Sequence, residues 1–161
     1  MNTMDYVIRP LTTADEPILW EMLYQALQRS ETEPAASRDI VRRPAFARYV
    51  EGWGRPGDTG FVAYDAKQND KLLGAVWLRL PTGDQSNENK VTPELAFTVK
   101  PGLRRRGIGA ALLTQLVKAN PQYSAISIRA PANNPAVRLY EKFGFKIVQQ
   151  SERAVTMRRE V

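Results

Sequence analysis

The chain of 161 residues has no cysteine and no histidine. The first absence excludes disulfides, a thiolate nucleophile and cysteine metal sites. The second removes the commonest general base and the commonest metal ligand, so no metal is expected. Any proton transfer must run through Asp, Glu, Tyr, Lys or water. Long apolar runs are also missing: none approaches the roughly 18 residues that would suggest a membrane span. The opening stretch "MNTMDYVIRP" has no basic segment leading into an apolar core, so no secretory signal is expected. A chain without cysteine suits the cytoplasm. There is no internal repeat, low-complexity tract or long linker, and the length suits one domain spanning residues 1–161.

What is present is an ordinary globular composition, 43% hydrophobic, with a formal net charge of +6. Apolar content at this length can build a real core. The positive balance favours anionic partners such as nucleic acid, an acidic membrane or a phosphorylated cofactor, and charge alone does not separate them.

Periodicity then sorts the chain into elements. Strands are expected at 6–11, 59–66, 71–81, 94–99 and 124–130, and two more in "FKIVQQ" and "RAVTMRRE". Leu19, Met22, Leu23, Ala26 and Leu27 recur at helical spacing behind Thr13, a candidate cap, with Asp15 and Glu16 at the positive end. Residues 38–53 read as a helix interrupted at Pro44. Ile108, Leu112 and Leu116, with Leu113 and Val117 beside them, mark the clearest amphipathic helix, which Asn120-Pro121 stops. A last helix begins near Asn134 and Pro135 and closes at Gly144. Strand, two helices, three strands, helix, strand, helix and strands make a mixed α/β domain.

The stretch "FTVKPGLRRRGIGAALL", residues 97–113, holds the densest chemistry. A strand ends, a glycine turn follows, and a helix begins near Gly107. A helix start offers unpaired N–H groups and a positive dipole end, and glycines let an anion approach the backbone. Arg104, Arg105 and Arg106 add donors. Three readings stay open on this stretch alone: a solvated basic loop, a nucleic-acid patch, or a phosphate site for a small ligand. It is neither a dinucleotide GxGxxG nor a P-loop.

The pattern Arg104-x-x-Gly107-x-Gly109 nevertheless resembles the acyl-CoA signature of the GNAT family of N-acetyltransferases. A second block, "NNPAVRLYEKFGF", is similar to that family's Asn-x-x-Ala-x-x-x-Tyr followed by Gly-Phe, here Asn133, Ala136, Tyr140, Gly144 and Phe145. The order of elements matches along almost the whole chain. The resemblance implies an acyl-CoA N-acyltransferase fold, α/β in class (more strictly α+β). Its sheet is mixed and mostly antiparallel, of six or seven strands, with about four helices around it. It implies acetyl-CoA as cosubstrate, with CoA as product.

The cofactor contacts follow from the same resemblance. Backbone N–H groups of Arg105, Arg106, Gly107, Ile108, Gly109 and Ala110 would cradle the pyrophosphate, with the Arg104 side chain facing phosphate or, alternatively, covering the turn. Backbone groups of Phe97, Thr98 and Val99 would pair with the pantetheine arm like an added strand. Asn133 would bind the cofactor where two central strands part. Tyr140, alternatively a core tyrosine, would protonate the leaving thiolate. A phenol near pKa ~10 and a thiol near ~8.5 make that transfer feasible.

The reaction would be direct attack of a neutral primary amine on the acetyl thioester, since no cysteine can carry the acetyl group. Glu94, alternatively a solvated strand-end charge, is the candidate base acting through water. Family members that modify ribosomal-protein N-termini carry a Glu where Ile128 stands here, which counts against that subclass. The acceptor would be a small-molecule amine or a peptide amine. Its pocket would be shaped by residues 20–53 and 149–155, with Glu31 and Glu33 as acids suited to a cationic amine; Trp20, Tyr24, Trp53 and Trp77 could line an apolar wall, although such residues are more often core than contact. Two other functions compete: a CoA-binding regulatory module without efficient turnover, and nucleic-acid binding through Arg42-Arg43, Arg104–Arg106 and Arg158-Arg159. The latter lacks an evident recognition helix or base-stacking aromatics beside the arginines, so no nucleic-acid or membrane partner is expected. A homodimer through the late strands is a further expectation from the family.

Overall fold

A computed structural model describes residues 6–26, 38–68, 71–80, 92–100, 107–121, 123, 125–131, 136–152 and 154–160. The described residues form seven strands: β1 (Tyr6–Pro10), β2 (Thr59–Asp65), β3 (Leu72–Arg79), β4 (Glu94–Val99), β5 (Ala125–Pro131), β6 (Phe145–Gln150) and β7 (Ala154–Glu160); β7 alternates at its start, whereas β3 is buried almost throughout. They form one sheet in the order β1-β2-β3-β4-β5-β7-β6. The β4–β5 neighbours are parallel and all other pairs are antiparallel. The class and sheet expected from the sequence are therefore observed.

The helices are α1 (Glu16–Ala26), α2 (Pro44–Ala47), α3 (Ile108–Ala119) and α4 (Ala136–Lys142), with 3₁₀ turns at Thr13–Asp15 and Arg38–Arg42. They lie on both sides of the sheet. On one side Ile108, Leu112, Leu113 and Leu116 of α3 and Tyr140 of α4 pack on Leu78, Leu95, Ile126, Ile128 and Met157. On the other, Leu19, Met22 and Leu23 of α1 pack with Val41, Val50 and Trp53 on Val62, Ala75 and Trp77. Trp53 and Trp77 are thus core residues, each with its indole N–H bonded to a backbone carbonyl, of Thr12 and Tyr49 respectively, at 2.9 Å.

Two local expectations are corrected. Residues 38–53 do not form one interrupted helix. Arg43 is extended (φ −66°, ψ 139°) and Pro44 opens the short α2, followed by turns. A proline disfavours a helical residue before it and has no N–H to continue the ladder, so it begins a helix instead. The cap at the first helical segment is Thr12 rather than Thr13. Its hydroxyl accepts from the Ala14 N–H, and Asp15 accepts from the Thr12 N–H at 2.6 Å, closing a capping box. Asn120 does end α3, donating its side-chain amide to the Leu116 carbonyl at 2.8 Å. Gly144 follows α4 with φ +91°, as a left-handed cap requires.

Asp15 also receives both terminal nitrogens of Arg9, at 2.8 and 3.0 Å, which ties β1 to the start of α1. The guanidinium hydrogen bonds, with those from Thr12, hold the Asp15 carboxyl below its ordinary value. A carboxyl depressed in the folded state stabilises the fold above its unfolded pKa of ~4, and that contribution disappears as pH falls through the folded value. Asp15→Asn should therefore cost about 1–3 kcal/mol at neutral pH. Thermal midpoints of the two proteins should converge as the pH is lowered below about 4.

Candidate active site

The sheet comes apart at its parallel junction. Only Glu94–Ser127 and Leu95–Ile128 are paired between β4 and β5, and the Ser127 N–H reaches back to the Pro93 carbonyl at 3.0 Å. Beyond them β4 stays bound to β3 through Val99, and β5 stays bound to β7 through Pro131. Backbone groups alternate between neighbours along a strand. The Lys100 N–H bonds the Leu73 carbonyl on β3, so Thr98 and Ala96 also face β3. Phe97 and Val99 turn their N–H and C=O groups into the opening, where β5 supplies no ladder partner. Of the three residues expected to hold an extended arm, two thus present their backbone there and Thr98 turns away.

Glu94 stands at the first of those two pairs, on the α1 side of the sheet. Its side chain is 17% exposed and is held from two directions. Arg48 donates from Nη1 to Oε2 at 2.6 Å and from Nη2 to Oε1 at 3.2 Å. The Tyr49 hydroxyl donates to Oε1 at 2.9 Å and itself accepts from Arg48 Nη2 at 2.8 Å. The hydrogen bond to Glu94 raises Arg48 above its ordinary value, so it stays charged. Burial, and then the Glu94 charge, push the Tyr49 hydroxyl up as well, so it remains a donor. A carboxylate has about four lone-pair sites. These three bonds leave one on Oε2, enough for a water or an amine.

The clamp rests on a buried ion pair. Arg79, 5% exposed, pairs Nε with Asp58 Oδ1 and Nη2 with Oδ2, both at 3.1 Å. Its Nη1 donates to the carbonyls of Arg48 (3.2 Å) and Glu51 (2.8 Å). Asp58 accepts in turn from the Gly54 and Arg55 N–H groups, at 3.0 and 2.9 Å. The Trp77 indole N–H fixes the Tyr49 carbonyl. The turn carrying Arg48 and Tyr49 is therefore fastened to β3 at three backbone carbonyls.

Tyr140 lies on the opposite side of the sheet, 2% exposed. Its ring meets Phe97 edge-on (5.7 Å, 79°) and Phe145 (6.0 Å, 60°). Phe97 belongs to the open part of β4, so Tyr140 is set beside the parting. Gly109 explains how α3 comes so near. A Cβ there would stand 2.8 Å from Phe97 Cζ and 3.2 Å from Leu139 Cδ2. Gly107 precedes α3 with φ +82°, and among the described residues nothing lies within 4 Å of where its Cβ would stand. The first intrahelical bond runs from the Ala111 N–H to the Gly107 carbonyl. The N–H groups of Ile108, Gly109 and Ala110 thus have no acceptor within the helix.

Glu94, Phe97, Tyr140 and the start of α3 are brought to one region. Arg104, Arg105, Arg106 and Asn133 lie outside the described residues, as do Glu31 and Glu33. The sequence reading missed Arg48, Tyr49 and Arg79. Arg48 and Tyr49 sit about 45 residues before Glu94 in an irregular turn and carry no local signal. Arg79 left one: a charge inside the apolar run "LLGAVWLRL", which needs a buried partner. Among the described residues no group of three or more His, Cys, Asp or Glu could hold a metal, and no helix is long and apolar enough to cross a membrane.

A mixed sheet parted between parallel neighbours, with a helix start and a buried tyrosine at the gap, is the acyl-CoA N-acyltransferase fold. The profile of the acetyltransferase (GNAT) family matches residues 20–145, and the chain belongs to that family. Comparison with curated proteins returns no match. Among solved structures the chain is similar to the PaiA N-acetyltransferase of Thermoplasma acidophilum in complex with coenzyme A. Identity there is 18% and the TM-score 0.68, over 98% of this chain and 100% of that one. It is similar to the ribosomal-protein-alanine N-acetyltransferase of Brucella melitensis (19%, TM-score 0.66, 96% and 99%). It is also similar to NAA60 of Arabidopsis thaliana in complex with acetyl-CoA (18%, TM-score 0.66, 98% and 99%).

The Arg79 anchor yields a stability test. Arg79→Met leaves Asp58 buried and unpaired and should cost about 3–5 kcal/mol in a denaturant titration. Arg79→Met with Asp58→Asn should recover part of that loss, because the isolated charge is removed.

Proposed function

We propose that this protein is an acetyl-CoA-dependent N-acetyltransferase acting on a primary amine by direct attack. The observation that carries the reading is the opening between β4 and β5, with Glu94 on one side of the sheet and Tyr140 on the other. The residues present fit CoA. Phe97 and Val99 offer strand-like backbone to an extended arm, and Gly109 lets the start of α3 pack close against Phe97. Ile108, Gly109 and Ala110 offer N–H groups to a pyrophosphate, joined by the backbone of Arg105, Arg106 and Gly107 and by the Arg104 side chain. Asn133, two positions after the end of β5 in the sequence, would add a further cofactor contact. The family and the CoA and acetyl-CoA complexes of structural neighbours support this assignment.

Acetyl-CoA supplies an activated acetyl group as a thioester. Glu94 accepts, through one water on its open lone pair, the proton that an alkylammonium must lose. The neutral nitrogen then forms the new C–N bond as the C–S bond breaks. Tyr140 gives its hydroxyl proton to the departing sulfur and regains one from the second proton shed by nitrogen, so the net products are amide, free thiol and one proton. Arg48 and Tyr49 keep the Glu94 carboxylate fixed. The chain without cysteine needs no oxidising compartment, which supports the cytoplasmic reading, and the single sheet supports one domain.

Free-thiol release with acetyl-CoA across a panel of amines, amino acids, polyamines and peptides tests the reaction. Tyr140→Phe should lower kcat about 10²–10⁴-fold while CoA affinity is kept. Equal turnover would remove Tyr140 from the chemistry, and CoA binding with no turnover on any acceptor would favour a regulatory module. Gly107→Glu should weaken CoA binding at least about tenfold by placing a carboxylate at the pyrophosphate. Gly107→Asn, which tolerates left-handed backbone, should do so far less. Unchanged affinity in Gly107→Glu would sink the pyrophosphate placement.

A further inference from the structure

Arg129 is a cation left over at the parting of the sheet. It is the first β5 residue beyond the last pair with β4, Leu95–Ile128. Ile126, Ile128 and Ala130 point into the core on the α3 side, so Ser127 and Arg129 face the other way, on the side that Glu94 occupies. Ser127 is the register partner of Glu94, and Arg129 follows two residues later, about 7 Å along the strand. Its side chain is exposed and enters none of the ion pairs among the described residues. Its charge still reaches the clamp, where it opposes the upward shift of the Tyr49 hydroxyl.

Among the described residues the local balance is two guanidiniums against one carboxylate: Arg48 is offset by Glu94, and Arg129 enters no ion pair. A simple cationic amine would meet this excess positive charge. An acceptor that brings its own anion close to its nitrogen removes the mismatch. A guanidinium fork matches a carboxylate in a planar, two-bond geometry.

We propose that the acceptor is a compact amine bearing a carboxylate, of the amino-acid type, with its nitrogen toward Glu94 and its carboxylate on Arg129. This rests on the transferase reading above and names the substrate class of that site. Arg129 is then a specificity residue. It binds the acceptor and takes no part in moving the acetyl group or in holding CoA.

The test uses matched pairs that differ by the carboxylate alone: phenylalanine against phenethylamine, and lysine against cadaverine. In the native protein kcat/KM should be at least about tenfold higher for the carboxylated member of each pair. Arg129→Gln should bring that ratio close to one, mainly through the KM of the amino acid. The KM of acetyl-CoA should hold, and the rates with the plain amines should hold or rise, since a repelling charge is removed. Equal rates within the pairs in the native protein would overturn the proposal. So would a loss in Arg129→Gln shared by both members, or carried by the KM of acetyl-CoA. A parallel thermal-shift series on the CoA-loaded protein separates this idea from the reaction itself. If no amine turns over, yet the amino acids raise the midpoint of the native protein and not of Arg129→Gln, the carboxylate site stands and the transferase reading fails. No shift with any amino acid, together with no turnover, overturns the proposal.

Discussion

The rest of the structure depends on two strands that run side by side and then part. β4 and β5 share two register pairs and diverge, while each keeps its antiparallel neighbour on the far side. The sheet therefore survives the break, because most ladder bonds of both strands are made elsewhere. The groups on Phe97 and Val99 that β5 does not pair need other hydrogen-bond partners. Water or an extended ligand can supply them. The parting thus turns an ordinary requirement of backbone chemistry into a binding surface with a direction and a spacing.

Everything near that surface is held from behind. A guanidinium in a core is costly unless its donors are used. Arg79 uses its donors on Asp58 and on the carbonyls of Arg48 and Glu51. In doing so it fixes an irregular turn whose outer side chains, Arg48 and Tyr49, close on Glu94. On the other face, the Tyr140 ring meets the edges of Phe97 and Phe145. The described side chains are thus polar at Glu94 on one side of the opening and aromatic around Tyr140 on the other.

Much of this was legible before any fold was known. Apolar runs and alternation located the seven described strands to within a residue or two, since strands packed on one or both faces alternate or run apolar. The spacing of Ile108, Leu112 and Leu116 located α3, and Gly107 and Gly109 marked its start. Local rules also failed where two neighbours could serve. Thr12 and Thr13 are both good caps, and the choice fell to Thr12 because Asp15 closes the box back onto it. Pro44 read as an interruption and is a beginning, because its fixed φ suits the first turn. Glu94 could be named as a strand-end carboxylate, but its clamp could not, because no sequence rule links a turn at residue 48 to a strand at residue 94.

By itself, then, the sequence determined what depends on local spacing: the elements, the glycine turn ahead of α3, the absence of thiol and imidazole chemistry, and the excess of positive charge. The tertiary structure alone decided which charges meet. It set Arg48 and Tyr49 on Glu94, buried Arg79 on Asp58, and left Arg129 exposed on the lip of the opening. The reason is physical. Hydrophobic periodicity is a property of a segment, whereas charge compensation is a property of a place, and the partners that share a place come from segments far apart in the chain.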